Sequence, residues 1–188
     1  MKNAQNNAQS RQRLSKTMTK MLRHAPDGFG LRLDPADGAC EAEALLAALR
    51  RQSVWASVTM EAIETVVREC EKQRFELRDG RIRARYGHSV ERFAYEAAVP
   101  PAVLYHGTNA KALPIIKQEG LRAMGRLYVH MSEEKPFAEL AGRRRGELVL
   151  LRVDTEKAAQ AGVTFYRAGN EVWLADYVPA EVLYEDGP

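Results

Sequence analysis

The stretch Leu104–Ser132, LYHGTNAKALPIIKQEGLRAMGRLYVHMS, decides how the second half of the chain folds. Its hydrophobic pattern predicts a strand, a tight turn, a helix, a loop and a second strand. The helix is expected over Ala110–Glu119, where Pro114 lies early enough to be tolerated. Gly120 follows at the position of a left-handed C-cap. The alternation over Tyr128–Ser132 predicts the second strand.

Three basic side chains of this stretch lie at or near the predicted strand ends, where functional sites are usually built. His106 precedes Gly107, so the neighbouring backbone can approach a ligand closely. Arg126 lies in a loop and, taken alone, is a solvated surface charge. His130 has an apolar residue on each side and is equally consistent with a hydrogen-bonded interior histidine. The pattern alone leaves these alternatives open.

The composition is that of an ordinary globular protein with one large domain or two small ones. The 188 residues are 45% hydrophobic and 28% charged, with a formal net charge of +3. This mild basic excess permits an anionic partner without requiring one. Cys40 and Cys70 form no CxxC pair, which favours reduced thiols over a metal site.

Several functional classes lack support in the sequence. No apolar run has membrane-spanning length and the N-terminus has no apolar signal core, so we expect a cytoplasmic protein with no membrane partner. Neither GxGxxG nor GxxxxGK(S/T) occurs. The sequence therefore predicts neither a Rossmann nor a P-loop nucleotide site.

The first part of the chain predicts three helices followed by a hairpin. The polar residues 1–12 are expected to fray, and a helix within Arg11–His24 should end before Pro26. Gly30–Leu33 alternates like a short strand. Apolar residues at helical spacing predict two further helices, the last with Thr59 as its N-cap: Ala42, Leu45, Leu46 and Leu49, then Ile63, Val66, Val67 and Cys70.

The hairpin is predicted over Phe75–Arg83, where two alternating runs are joined by Asp79-Gly80. Three helices followed by a basic hairpin resemble a winged-helix module. Many modules of this class bind nucleic acid, and many bind only protein.

The segment Glu96–Val103, EAAVPPAV, is the best linker candidate because of Pro100-Pro101. Short strands dominate after it, with a turn at Gly169-Asn170; they are expected over residues 103–106, 128–132, 147–153, 164–167 and 171–174. The predicted fold class is α+β, and the predicted domains are residues 1–98 and 99–188.

Arginine and histidine dominate the remaining candidates for function. Arg23 and His24 end the first predicted helix, where a cation also complements the helix dipole. Arg83 lies on the hairpin and, taken alone, is an exposed strand arginine. Arg143–Arg145 is a charge run, usually a solvated loop and less often a phosphate contact. Because guanidinium binds phosphate in a bidentate fork, this set of side chains suits phosphate chemistry.

Five stretches, taken in order, resemble the RNA 2′-phosphotransferase family (Tpt1/KptA). They span about nine-tenths of the chain and are LSKTMTKMLRHAPDGFGLRLD (Leu14–Asp34), RIRARYGHSV (Arg81–Val90), LYHGT (Leu104–Thr108), GLRAMGRLYVHMS (Gly120–Ser132) and FYRAGNEVWLADYVP (Phe165–Pro179). LRH or HGT alone would be a weak signal, whereas five motifs in order are specific. Many members read NQGHS where this chain has RYGHS. This leaves open whether Arg85 substitutes for Arg83 or adds an RNA contact.

The resemblance implies a fold and a set of site residues. The fold is an N-terminal winged-helix, RNA-binding lobe followed by a C-terminal lobe with an ADP-ribosyltransferase-like split β-sheet that binds NAD. The implied catalytic residues are Arg23, His24, Arg83 and Arg126. The implied NAD-binding residues are His106, Gly107, Thr108, His130, Ser132 and Val172. No metal is implied.

The activity that the resemblance implies is NAD-dependent removal of an internal 2′-phosphate from RNA. In the family's reaction the 2′-phosphate attacks the anomeric carbon of the NAD ribose, nicotinamide leaves, and an ADP-ribosylated phosphate forms. The ribose 2″-hydroxyl then attacks the phosphorus and releases RNA and ADP-ribose 1″,2″-cyclic phosphate. Two other interpretations are an ADP-ribosyltransferase that modifies nucleic-acid terminal phosphates and a non-catalytic RNA-binding module. The expected partner is RNA with an internal 2′-phosphate, and the chain is expected to be a monomer.

Overall fold

The computed structural model describes residues 2–169 and 171–187. It divides into two compact units, Met1–Ala94 (the N-terminal unit) and Tyr95–Pro188 (the C-terminal unit). The sequence had suggested a division after residue 98. Within the described residues, six α-helices and three antiparallel sheets give the α+β class. No helix among them is both long and apolar enough to cross a bilayer.

The N-terminal unit combines three helices with a small antiparallel sheet of strand order β1-β3-β2. Its elements are α1 (Lys2–Arg23), β1 (Ala39–Glu41), α2 (Ala42–Arg50), α3 (Met60–Glu69), β2 (Phe75–Arg78) and β3 (Arg81–Ala84). The apolar stripes that predicted the helices form its core, which includes Met18, Leu45 and Ile63, all with 0% exposure. The periodicity therefore identified the buried faces correctly.

Local signals set the limits of α3 and of the hairpin. The Thr59 hydroxyl accepts a hydrogen bond from the Ala62 N–H at 3.3 Å, as an N-cap should. Asp79 and Gly80 have φ values of 51° and 76°, so both central turn residues are left-handed, as in a type I′ turn. This two-residue turn fixes the register of β2 and β3, with Glu76 opposite Arg83.

The N-terminal unit differs from the prediction at two points. Helix α1 begins at Lys2 and not near Arg11, and nothing in residues 2–12 is a glycine or proline that would stop it. Gly30–Leu33 forms no strand, because the Gly30 and Leu31 N–H groups turn back to the carbonyls of Asp27 and Pro26. The alternation there reflects burial of Leu31 beside exposed neighbours.

The C-terminal unit is built around a six-stranded antiparallel sheet with strand order β11-β7-β4-β6-β9-β8. Its strands are β4 (Val103–Asn109), β5 (Leu121–Arg122), β6 (Val129–Ser132), β7 (Leu148–Asp154), β8 (Tyr166–Gly169), β9 (Val172–Ala175), β10 (Tyr177–Val178) and β11 (Leu183–Glu185). Strands β5 and β10 pair separately. The five longer strands predicted for this half are confirmed, with shifted limits. Asn170 of the predicted Gly169-Asn170 turn lies outside the described residues.

Three helices accompany these strands: α4 (Leu113–Glu119), α5 (Lys135–Gly142) and α6 (Thr155–Gln160). Pro114 lies in the first turn of α4, as predicted. Gly120 caps α4 with a positive φ of 75°, but its ψ of −172° is not that of a left-handed helix. The sequence did not predict α5 or α6.

Strand β4 separates from β6 soon after they meet. In the described residues the ladder between β4 and β6 has one pairing, Tyr105 with Ser132, whereas β4 pairs with β7 along its whole length. The sheet is therefore partly open where the HGT sequence follows Tyr105.

Candidate functional site

Arg23 and His24 follow one another at the end of α1 but have opposite environments. Arg23 is buried, with 4% exposure, whereas His24 is exposed. The Arg23 guanidinium lies 4.9 Å from the centroid of the Tyr86 ring, and its Nη2 donates to the Arg74 carbonyl at 3.4 Å. These contacts fix the direction of a buried charge.

The segment Gly87–Ser89 wraps around this dipeptide. The Ser89 N–H donates to the Arg23 carbonyl at 3.0 Å, and the Ser89 hydroxyl lies 2.9 Å from His24 Nδ1. Gly87 has a φ of 86°, and a Cβ at this position would lie 3.1 Å from Arg23 Nη1. Glycine therefore allows the backbone to lie against the guanidinium.

His88 is the buried histidine of the segment that wraps around Arg23 and His24. Its side chain is 5% exposed and meets the Phe93 ring edge to face, with 4.5 Å between the centroids. Burial, followed by the charges of Arg23, His24 and Arg83, lowers the pKa of His88 from 6.5 to about 4. Within the part of the chain that the structure describes, His88 Nε2 has no hydrogen-bond partner. His88 is thus a neutral imidazole near neutral pH, with the three predicted catalytic residues of this unit close enough to act on it.

Arg83 is held in place by a carboxylate on the opposite strand. Its Nε and Nη2 both lie 2.6 Å from Glu76 Oε2. Arg85 Nη2 lies 3.6 Å from Glu76 Oε1, and Arg85 Nε donates to the Phe75 carbonyl at 3.3 Å. Glu76 therefore anchors both arginines on the hairpin.

In the C-terminal unit, His106 and His130 are both oriented by backbone carbonyls. His106 Nδ1 lies 2.8 Å from the His130 oxygen, and His130 Nδ1 lies 2.9 Å from the Tyr128 oxygen. A carbonyl only accepts, so each Nδ1 must donate. In the neutral imidazoles Nε2 is then the acceptor nitrogen.

Ser132 and Val172 lie directly opposite one another on β6 and β9, so their side chains share one face of the sheet. Both are buried, with 1% exposure. The Ser132 hydroxyl accepts from the Glu134 N–H at 3.1 Å and so has a structural task at the start of α5. His106 follows Tyr105 and is not part of this row, but its imidazole reaches the backbone of β6.

Gly107 and Thr108 are placed by packing. A Cβ on Gly107 would lie 1.8 Å from the Ala138 carbonyl oxygen of α5. The sequence suggested that Gly107 lets backbone approach a ligand; in the structure it lets α5 approach β4. Thr108 is buried, with 6% exposure.

Arg126 is exposed in the loop between β5 and β6, after Gly125 with a φ of 62°. Within the C-terminal unit, its loop leads directly into the strand that carries His130 and Ser132.

The sequence did not single out three residues that position the site. Glu76 could have been found, because the Asp79-Gly80 turn fixes a register that puts it opposite Arg83. Tyr86 and Ser89 carried no such signal, since their contacts with Arg23 and His24 join residues more than 60 positions apart. Only the tertiary fold brings them together.

Comparisons with known proteins point to one family. The model of the family described as RNA 2′-phosphotransferase, Tpt1/KptA family, matches residues 9–177. A probable RNA 2′-phosphotransferase of Bacillus thuringiensis subsp. konkukian is 42% identical over 172 residues, covering 90% of this chain and 92% of the relative. Proteins with the same description from Burkholderia lata and Thermococcus kodakarensis are 43% and 42% identical. The alignments cover 92% of this chain in both cases, and 90% and 96% of the relatives.

Proposed function

We propose a function from one premise: this chain belongs to the RNA 2′-phosphotransferase, Tpt1/KptA family. The proposed function is NAD-dependent removal of an internal 2′-phosphate from RNA, with nicotinamide, ADP-ribose 1″,2″-cyclic phosphate and 2′-hydroxyl RNA as products. The observation that carries it is that Arg23, His24 and Arg83 are each held in a fixed direction, by Tyr86, Ser89 and Glu76 respectively. Fixed guanidinium groups are the donors that suit a doubly charged phosphate.

The proposal extends to the architecture of each unit. The N-terminal order of helix, strand, two helices and two strands, with an antiparallel sheet, supports a winged-helix module. The separation of β4 from β6 supports an ADP-ribosyltransferase-like split sheet in the C-terminal unit.

The N-terminal residues have distinct proposed tasks. Arg23 and Arg83 bind the 2′-phosphate, because their contacts with Tyr86 and Glu76 hold the charges in fixed directions. A preorganised charge of this kind stabilises charge that develops on phosphoryl oxygens. His24 binds the phosphate or moves a proton at Nε2, since its Nδ1 is oriented by Ser89. Arg126, an exposed arginine of the C-terminal unit, is also proposed to contact phosphate.

The C-terminal residues fit a bound dinucleotide. His106 presents an acceptor nitrogen suited to a ribose hydroxyl, because its Nδ1 is already bonded to a carbonyl. His130 is oriented in the same way, with its Nε2 buried, and is proposed to form part of the wall of the NAD site. Val172 and Ser132, both buried, support the sheet beneath the proposed dinucleotide site, and Gly107 and Thr108 shape the end of β4. When bound, NAD⁺ supplies an electrophilic ribose carbon with nicotinamide as a neutral leaving group.

The test is to incubate the protein with NAD⁺ and a short RNA that carries one internal 2′-phosphate. We expect 2′-hydroxyl RNA, nicotinamide and the cyclic phosphate, identified by mass spectrometry, and no reaction without NAD⁺. ADP-ribosylated RNA that persists would indicate a transferase that stops after the first step. RNA binding without any product would indicate a non-catalytic module.

Two variants test the assigned residues. His24→Ala and Arg126→Ala should retain the fold in thermal melts and lose turnover by about 10²–10³, the usual cost of one contact to developing charge. Arg122→Ala, which removes an exposed arginine of β5 that pairs with Glu119, is the control and should keep its activity. Release of 2′-hydroxyl RNA at the wild-type rate by both variants would remove these assignments.

A further inference from the structure

The exposed face of α1 carries a row of basic side chains that leads to His24. Arg13, Lys16 and Lys20 are all exposed, as is His24. At about 100° per residue, these four positions fall within an arc of about 80°. The His24 N–H donates to the Lys20 carbonyl at 3.1 Å, so His24 continues the helical spacing. We call Arg13, Lys16 and Lys20 the basic row.

The opposite face of α1 is fixed by the core, so the basic row cannot turn inward. Leu14, Met18, Met21 and Leu22 have between 0% and 3% exposure. Arg11 points away from the row and pairs with Glu69 of α3 at 2.9 Å. Lys20 is located by the Phe29 ring, 5.6 Å from its Nζ.

The row differs from Arg81 and Arg83 of the same unit in lacking carboxylate partners. Arg81 pairs with Asp34 and Arg83 pairs with Glu76. Within residues 2–169 and 171–187, no carboxylate forms an ion pair with a member of the basic row. Helix α1 itself contains no aspartate or glutamate. Uncompensated like charges along one helix cost stability, and an external polyanion would remove that cost.

The dimensions fit a nucleic-acid strand that starts at His24. At 1.5 Å per residue, Lys20, Lys16 and Arg13 lie about 6, 12 and 16 Å from His24 along the helix axis. We propose that the basic row binds the phosphates of single-stranded RNA flanking the 2′-phosphorylated nucleotide. This inference rests on the proposed function for the position of that nucleotide at His24. The inference adds a binding surface that runs from His24 along α1 toward Arg13.

The first test measures binding without turnover. Fluorescence anisotropy would follow a 2′-hydroxyl RNA of about ten nucleotides, within the range of single-strand site sizes. Lys16→Ala/Lys20→Ala should bind about tenfold more weakly. The slope of log affinity against log salt should fall by about 1.4, or about 0.7 for each lost phosphate contact.

Two further variants provide the controls. Lys16→Arg/Lys20→Arg keeps the charges and should bind nearly as the wild type does. Arg68→Ala removes an exposed arginine of α3 that pairs with Glu69 and should leave the salt slope unchanged. An unchanged slope in Lys16→Ala/Lys20→Ala would overturn the proposal. So would retained RNA affinity together with lost binding to polyglutamate, which would point to an acidic protein partner.

The second test uses substrate length. The ratio of kcat/KM for a long substrate to kcat/KM for a dinucleotide carrying the 2′-phosphate should fall about tenfold in Lys16→Ala/Lys20→Ala and stay constant in Arg68→Ala. A wild type that binds RNA through the basic row but does not remove the 2′-phosphate would refute the proposed function and leave this inference standing. Turnover by the wild type, together with an unchanged ratio of the two kcat/KM values in Lys16→Ala/Lys20→Ala, would support the proposed function and overturn this inference.

Discussion

At the scale of single residues, the neighbouring side chains Arg23 and His24 at the end of α1 differ in burial and in their contacts. Arg23 is fixed by an aromatic ring and a carbonyl, whereas His24 is exposed and has a hydroxyl at its Nδ1. Ser89 contacts both residues. Its N–H donates to the Arg23 carbonyl, and its hydroxyl lies beside His24 Nδ1. Ser89 is therefore a positioning residue for His24.

We expect Ser89→Ala to lower kcat about fivefold, because one neutral hydrogen bond contributes about 1 kcal/mol. The KM for RNA should change little, since the arginines proposed to bind the phosphate remain. Steady-state kinetics with the 2′-phosphorylated RNA would measure both constants.

Ser89→Thr retains a hydroxyl and should recover most of the lost kcat. An equal loss in the alanine and threonine variants, or a loss confined to KM, would show that the hydroxyl does not orient His24.

His88 predicts a pH dependence of stability. Its pKa is lowered from 6.5 to about 4, first by burial and then by the charges of Arg23, His24 and Arg83. Between these values the unfolded chain binds a proton that the folded chain does not, so the free energy of unfolding rises with pH. Acidification from pH 7 to pH 4 should therefore cost up to about 3 kcal/mol through this residue.

Urea unfolding measured from pH 4.5 to pH 7 in the wild type and in His88→Gln would isolate this contribution, because the carboxylates titrate in both. The wild-type curve should be steeper between pH 4.5 and pH 6.5. Parallel curves would mean that His88 has a similar pKa in the folded and unfolded chains.

At the scale of elements, α5 lies so close to β4 that two glycines are needed. A Cβ on Gly107 would meet Ala138 backbone oxygen at 1.8 Å, and one on Gly142 would meet the Thr108 oxygen at 2.8 Å. The atoms that each added Cβ would meet include backbone oxygens, which cannot move aside as the end of a flexible side chain can. The HGT sequence thus belongs to a helix–strand contact as well as to a candidate ligand site.

Gly107→Ala should destabilise the protein by about 3 kcal/mol or more, because α5 must shift to admit the methyl group. Urea denaturation followed by circular dichroism would measure the change. Gly187→Ala is the matched control, since no atom lies within 4 Å of its added Cβ. A Gly107→Ala protein of wild-type stability would show that α5 is free to move outward.

The elements also show what a sequence can and cannot predict. The Asp79-Gly80 hairpin, the Thr59 cap and the apolar stripes of the N-terminal helices are local signals, and all three are confirmed. Strand β1 was missed because three residues give no measurable alternation, and it exists only through pairing with β3. Gly30–Leu33 was assigned wrongly because alternating burial in a turn resembles that of a strand.

The same distinction between local signals and long-range contacts applies to the candidate site residues. Arg23, His24 and Arg83 could be named from sequence because the motifs carry them, but the contacts that hold Arg23 and His24 could not. The partners Tyr86, Ser89 and Glu76 act over long separations or across strands. A motif thus identifies candidate functional groups more readily than the residues that hold them.

At the scale of the whole molecule, each unit has its own hydrophobic core. One core unites α1, α2, α3 and the small sheet, and the other lies against the six-stranded sheet. The candidate phosphate-binding residues of the first unit and the candidate dinucleotide-binding residues of the second are supported by separate cores. We therefore expect each ligand, when it binds alone, to slow the exchange of backbone amides mainly in the unit that carries its candidate binding residues.

Hydrogen exchange with each ligand alone tests this assignment. NAD⁺ should slow exchange in residues 104–109 and 129–134, where His106 and His130 are bonded to strand carbonyls. A 2′-hydroxyl RNA should slow exchange in residues 11–24 and 85–90, around α1 and the Ser89 contacts. At ten times the dissociation constant, amides that exchange by local opening should slow about tenfold. Protection by NAD⁺ confined to the N-terminal unit would contradict the dinucleotide site, because histidines oriented in β4 and β6 would then have no part in holding it.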